Sequence, residues 1–201
     1  DEIQEKIDES EIKEIKSVRE KYLDKGFLEE LINELEEYRD NEGSKYDDMH
    51  EYFKVFKDLK HITPDDPLGL NDALRYFWQT DEDEELYIIK HRQFEEYYKD
   101  KLYKFENILV YFVFRYFMKA VFDYDILAKI KTALVSYMII RELAVVRYIE
   151  NNEFTDEDMV DIAHTYSKDI EHLEENIEAL AELFETNDVF DIEEMVIALM
   201  N

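Results

Sequence analysis

Residues 166–176 read YSKDIEHLEEN, a string that sets His172 among Glu171, Glu174 and Glu175, with a second histidine, His164, shortly upstream. Imidazoles and carboxylates this close fit three readings: metal ligation, proton transfer at a ring nitrogen, or a solvated helix face with no chemistry. The choice depends on where each side chain points. On a helix from about 156 to 185, Met159, Ala163, Tyr166, Ile170, Leu173, Ile177, Leu180 and Phe184 recur at alternating steps of three and four and define the core side. At about 100° per residue, His164, Glu171 and Glu175 then project together away from the core, with His172 on the opposite polar flank. The three have spacings of seven and four that a metal accepts, yet no second ligand group accompanies them, so no metal is expected. In a chain with 52 acidic residues, periodicity alone favours a solvated face.

Arg115 is the other chemically informative residue. It sits in FENILVYFVFRYFMKAVF, residues 105–122, where a guanidinium without acceptors is costly. Glu106, Glu142 or a helix carboxyl end are candidate acceptors for a structural ion pair, and an anion or substrate-carboxylate anchor is the alternative. Tyr111, Tyr116 and Tyr137 read as core tyrosines with a bonded hydroxyl. No Gly-rich phosphate loop, GxSxG elbow, HExxH pair or cysteine cluster is present, so nothing supports independent catalysis by this segment.

The elements that carry these residues all read as helices. Isoleucines at 3, 7, 12 and 15 begin a first helix that Gly26 interrupts, and FLEELINELEEY completes a hairpin. A third helix starts with Ser44 as cap and ends before Pro64. The stretch ITPDDPLGLND, residues 62–72, is the strongest loop or hinge, followed by a short helix over 73–79 and a longer one to about Tyr103. Residues 105–122 are apolar on nearly every side and are expected to be buried with the next helix, about 124–150, as a central pair. Thr155 with Asp158, and Asp191 with Glu194, mark the starts of the last two helices. The expected architecture is an all-α multi-helix bundle with a buried, strongly apolar central helix pair. An N-terminal segment, 1–61, joins through 62–72 to a bundle, 73–201, as one compact domain.

Composition narrows the function further. The chain has 201 residues, 46% hydrophobic, with three glycines and two prolines, which suits helices rather than a sandwich or barrel. A formal charge of −28 repels phosphate backbones, so nucleic acid is not an expected partner, while a basic protein is electrostatically welcome. With no cysteine there is no disulfide or thiolate site, in keeping with a reducing compartment. The uninterrupted apolar runs are shorter than the roughly 20 residues of a membrane helix, so no transmembrane segment is expected. The opening DEIQEKIDESEIKEIK is no secretory signal, and the chain reads as a fragment of something longer.

FENILVYFVFRYF, then KTALVSYMIIRELAVV, then FTDEDMVDIAHTYSKDIEHLEEN, in that order, resemble the C-terminal part of bacterial flagellin lysine N-methylases over about residues 70–200. The resemblance implies methyl transfer from S-adenosylmethionine to flagellin lysines, or those of another protein, in the cytoplasm. It also implies a cysteine-rich N-terminal region, resembling an iron–sulfur or other metal module, that is absent here; no cofactor is expected in this segment alone. Glu106, Asn107, Arg115, Tyr166, Glu171, His172 and Asn176 stand inside the matching blocks. The resemblance makes them candidate contacts to the substrate lysine or to the missing domain, with no catalytic role assigned. The reading is an accessory helical domain for substrate binding or support; the alternative is a noncatalytic acidic interaction module.

Overall fold

The computed structural model describes residues 2–42, 45–62, 68–79 and 83–200. Among them every regular element is helical: α1 (Glu2–Asp8), α2 (Ile15–Leu23), α3 (Lys25–Glu42), α4 (Tyr46–Asp58), α5 (Leu70–Phe77), α6 (Asp83–Tyr98), α7 (Tyr103–Phe117), α8 (Ala120–Asp123), α9 (Ile126–Asn151), α10 (Asp156–Tyr166), α11 (Glu174–Thr186) and α12 (Ile192–Met200). The bundle is all-α. Among the described residues no helix is long and apolar enough to cross a membrane. Ser44 and residues 63–67 of the expected loop lie outside the described residues.

Helix α9 is the axis, with α4, α5, α6, α7, α10, α11 and α12 all packing on it. Its start is fixed twice. Asp125 accepts from the Ala128 N–H at 2.9 Å, and Gln4 of α1 accepts from the Ile126 N–H at 2.8 Å, satisfying donors a helix start leaves open. Further along, Thr155 and Asp158 form the reciprocal capping box that opens α10.

Helices α7 and α9 form the expected pair, but unequally. Helix α9 is enclosed, whereas α7 buries Phe105, Phe112 and Tyr116 and leaves Val110, Phe114 and Phe117 exposed. The expected burial of residues 105–122 therefore holds for one side of α7 and not for the other. That stretch carries two apolar stripes, and only one meets a neighbour.

A second correction concerns the helix expected over 156–185. It is broken: α10 ends at Tyr166, residues Ser167–Glu171 form one wide π-helical turn, and α11 starts at Glu174. A turn that admits an extra residue shifts the phase of everything after it.

The core of the bundle contains a charge. Glu142, midway along α9, is 1% exposed; His91 of α6 lies 2.7 Å from its Oε2 and the Lys45 ammonium 3.3 Å from its Oε1. The other His91 nitrogen faces the Tyr87 carbonyl at 2.8 Å, so the ring is held between Glu142 and the backbone of its own helix. Next along α9, Arg141 pairs with Glu95 of α6. Burial pushes the Lys45 ammonium below its ordinary value despite Glu142. Burial also opposes charge on Glu142, but His91 and then Lys45 outweigh it and hold the carboxyl down at about 2.

A folded-state value below the ordinary 4.5 means the stability from Glu142 is present above that pH and lost as pH falls toward about 2. We expect Glu142→Gln to cost about 3–5 kcal/mol at neutral pH, because it leaves the buried Lys45 ammonium without its counter-charge. It should also flatten the loss of stability between those two pH values. Urea denaturation followed by circular dichroism across that range checks both; an unchanged acid limb would contradict the assignment.

Candidate functional site

The π-helical turn is held by a polar clamp. Asn176, buried at the start of α11, donates to the Asp169 carbonyl at 2.9 Å and to the Lys60 carbonyl at 2.8 Å, and accepts from the Lys60 N–H at 2.9 Å. Asp169 lies 3.2 Å from His61 Nδ1 and accepts weakly from the Ile62 N–H, while His61 Nε2 faces the Phe56 carbonyl at 2.9 Å. Each nitrogen of this ring faces an oxygen, which fixes its orientation. The end of α4 and the turn thus hold each other's otherwise unpaired backbone groups.

The consequence is the placement of Glu171. A continuous helix would have turned it to solvent; the wide turn points it inward, where its side chain is 2% exposed. Arg115 Nε meets its Oε1 at 2.7 Å and the Tyr116 hydroxyl donates to the same oxygen at 3.2 Å. Burial, then Glu171, raises the Tyr116 phenol above its ordinary value, so the hydroxyl stays a donor. The partner of Arg115 is therefore Glu171, rather than Glu106 or Glu142.

Glu171 and Tyr116 line the inner end of an open cleft of about 640 Å³ between α7, α8, the first turns of α9, and α11, and Arg115 holds Glu171 from outside that lining. Phe122 and Ile177 supply apolar walls, Lys119 and His172 stand at the sides, and Glu174 and Glu178 line the α11 wall. Glu171 is matched by Arg115, and Asp123 by Lys129 at 2.5 Å. Glu174 and Glu178 have no ion pair among the described residues, which leaves two exposed carboxylates facing the opening. A smaller cleft of about 270 Å³ between α5, α9 and α10 is crossed by ion pairs from Arg147 to Asp158 and Asp161.

Of the residues singled out in the sequence, Glu171 and His172 line the cleft, and Arg115 acts on it through Glu171. Tyr166 does not: its hydroxyl is buried against Ser136 Oγ at 2.7 Å, a core contact. Asn176 acts through the clamp. Glu106 and Asn107 are exposed on α7, outside the cleft lining. The expected grouping of His164, Glu171 and Glu175 is not formed, since His164 is exposed on α10 and Glu175 pairs with Lys60 at 2.7 Å. Among the described residues no three His, Asp or Glu side chains converge as a metal site. Sequence reasoning missed Lys119, Asp123 and Lys129, which reach the cleft only because α8 turns the chain; the i, i+4 spacing of Glu174 and Glu178 was a visible signal.

A family model described as the FliB lysine N-methylase C-terminal domain matches residues 1–198. No curated protein and no solved structure shows significant similarity.

Asn176→Ala removes three buried hydrogen bonds and leaves their backbone partners unmatched. The expected cost is about 2–4 kcal/mol, with faster amide exchange at both Lys60–Ile62 and Ser167–His172. Exchange that rises at neither segment would rule out the clamp.

Proposed function

The chain belongs to the FliB lysine N-methylase C-terminal domain family, and from that premise we propose that it serves as a substrate-binding domain, receiving a lysine-bearing segment of flagellin in the cleft beside Glu171. The reading sets this encounter in the bacterial cytoplasm, before flagellin is exported. The observation that supports it most is the composition of the cleft: two carboxylates without ion pairs, Glu174 and Glu178, beside the apolar Phe122 and Ile177. A lysine side chain has matching parts, an ammonium for the carboxylates and a methylene stem for the apolar wall. Glu171, fixed by Arg115 and Tyr116, adds negative potential at the inner end without being free to swing. His172, on the rim, offers a ring nitrogen that can accept a proton from the ammonium, which must become an amine before it can take a methyl group.

The methyl donor is assigned elsewhere. S-adenosylmethionine supplies an electrophilic methyl group to such an amine, but all the residues lining the cleft except Lys119 and His172 lie within helical turns, whose backbone groups are engaged in the helix rather than offered to an adenine. An iron–sulfur cluster held by thiolates finds no ligand in a chain without cysteine. The residues fit neither group, so this domain's part is to hold and orient the lysine for a region that carries the donor.

Calorimetric titration of flagellin into the protein tests the reading. Binding is expected with the wild type, and the double variant Glu174→Gln, Glu178→Gln should weaken it by about fivefold or more. Flagellin with acetylated lysines should lose a similar amount, since acetylation removes the charge. No binding, or binding indifferent to both changes, would reject this role. Titration with S-adenosylmethionine in parallel should give no heat of binding; a saturable signal would place the donor within these helices.

A further inference from the structure

More than half of the large hydrophobic side chains exposed among the described residues fall between Tyr103 and Tyr124. On α7 they follow one line, Tyr103, Val110, Phe114 and Phe117, which α8 extends through Val121 and Phe122. Within α7 the steps are seven, four and three, those of a single helix side. Phe114 is 79% exposed and Phe122 85%. A contiguous apolar ridge of this kind is rarely left in water without a partner.

Charge narrows the occupant. Over residues 101–122 there are four basic side chains and one acid, in a chain whose formal charge is −28. The surplus sits at the two ends of the ridge. At one end Lys101 and Lys104 share a single carboxylate, Asp156, at 3.2 and 2.6 Å. At the other, Lys119 has no ion pair among the described residues and lies 5.1 Å from the centre of the Tyr116 ring. The ridge between them follows α7, whose 15 residues extend about 22 Å.

We propose that the outer face of α7 and α8 docks an amphipathic helix with aliphatic or aromatic residues along one side and acidic residues near both ends. A ridge with helical spacing seats in the groove of another helix, and carboxylates at its ends would meet the surplus lysines. A second copy of the chain fits less well, because two-fold pairing would set lysine-rich ends against one another. Anionic lipid fits less well too, since the rest of the surface is strongly acidic. The proposal does not depend on the lysine-binding role of the cleft: Phe122 and Lys119 also line the cleft, but Phe114 lies outside it, so Phe114→Ser separates the two.

The test is selection from a displayed library of helical peptides about 15 residues long, matched to α7. The wild-type protein serves as bait and the folded Phe114→Ser variant, altered at a solvent-exposed position, as counter-bait. Enriched sequences should carry apolar residues at steps of three and four, with Asp or Glu toward both ends. A synthetic peptide of the enriched sequence should bind at least about tenfold more weakly to Phe114→Ser, and about fivefold more weakly to Lys119→Glu, by fluorescence anisotropy. No enrichment, enrichment of Lys- and Arg-rich peptides, or binding unchanged by Phe114→Ser would each overturn the proposal. So would a dimer in sedimentation equilibrium that Phe114→Ser dissolves, or flotation with phosphatidylserine vesicles that it abolishes, which would give the face to a second copy or to lipid.

Discussion

Glu142 carries a charge where a charge is most costly, in the middle of the most enclosed helix. A carboxylate there persists only if other elements bring polar partners to it, and the Lys45 ammonium at the start of α4 and a ring nitrogen of His91 within α6 do so. The requirement acts as a positional code. Apolar contacts let two helices slide or rotate at modest cost, but a buried anion with one ring nitrogen at 2.7 Å and an ammonium at 3.3 Å does not. Lys131 follows the same logic nearer the start of α9, where its ammonium donates to the Phe184 carbonyl at the end of α11. Helix α9 is thereby set against its neighbours along most of its length.

The cleft reuses this device with one difference. Glu171, like Glu142, is a buried carboxylate met by a cation from another helix, but its surroundings open on one side. A rigid anion at the margin of a cleft needs a backbone that cannot unwind to release it. Asn176, Asp169 and His61 supply that restraint from the far side of the turn. The clamp is some distance in sequence from the carboxylate's own partners, so the turn is held from both faces. That makes a wide helical turn, normally a weak point, a fixed part of the wall.

Local chemistry was legible in the sequence; long-range pairing was not. Thr155 and Asp158 announced their capping box because both halves lie within four residues. The apolar helix α9 was evident from its composition. The partners of Glu142 are 51 residues away or more, and those of Glu171 about 55, and no periodicity connects such positions. The error over 156–185 arose because helical phase was extended through Ser167–Glu171, where the turn takes an additional residue; one such step moved Glu171 from solvent to the interior. The error over α7 was of another kind. Spacing tells which residues share a side of a helix, but it cannot tell whether another element covers that side.

That uncovered side and the cleft meet at consecutive residues. Phe114 belongs to the outer ridge of α7, Arg115 reaches Glu171, and Tyr116 points into the core. The Arg115 side chain is 36% exposed while its Glu171 partner is almost fully buried, so water now screens one half of the pair. An occupant seated over Phe114 would lie one residue from this pair. The same occupant would lie close to Lys119 and Phe122, which line the cleft. The two surfaces are therefore joined through a short stretch of α7 and α8, in which Phe122 serves the ridge and the cleft wall alike.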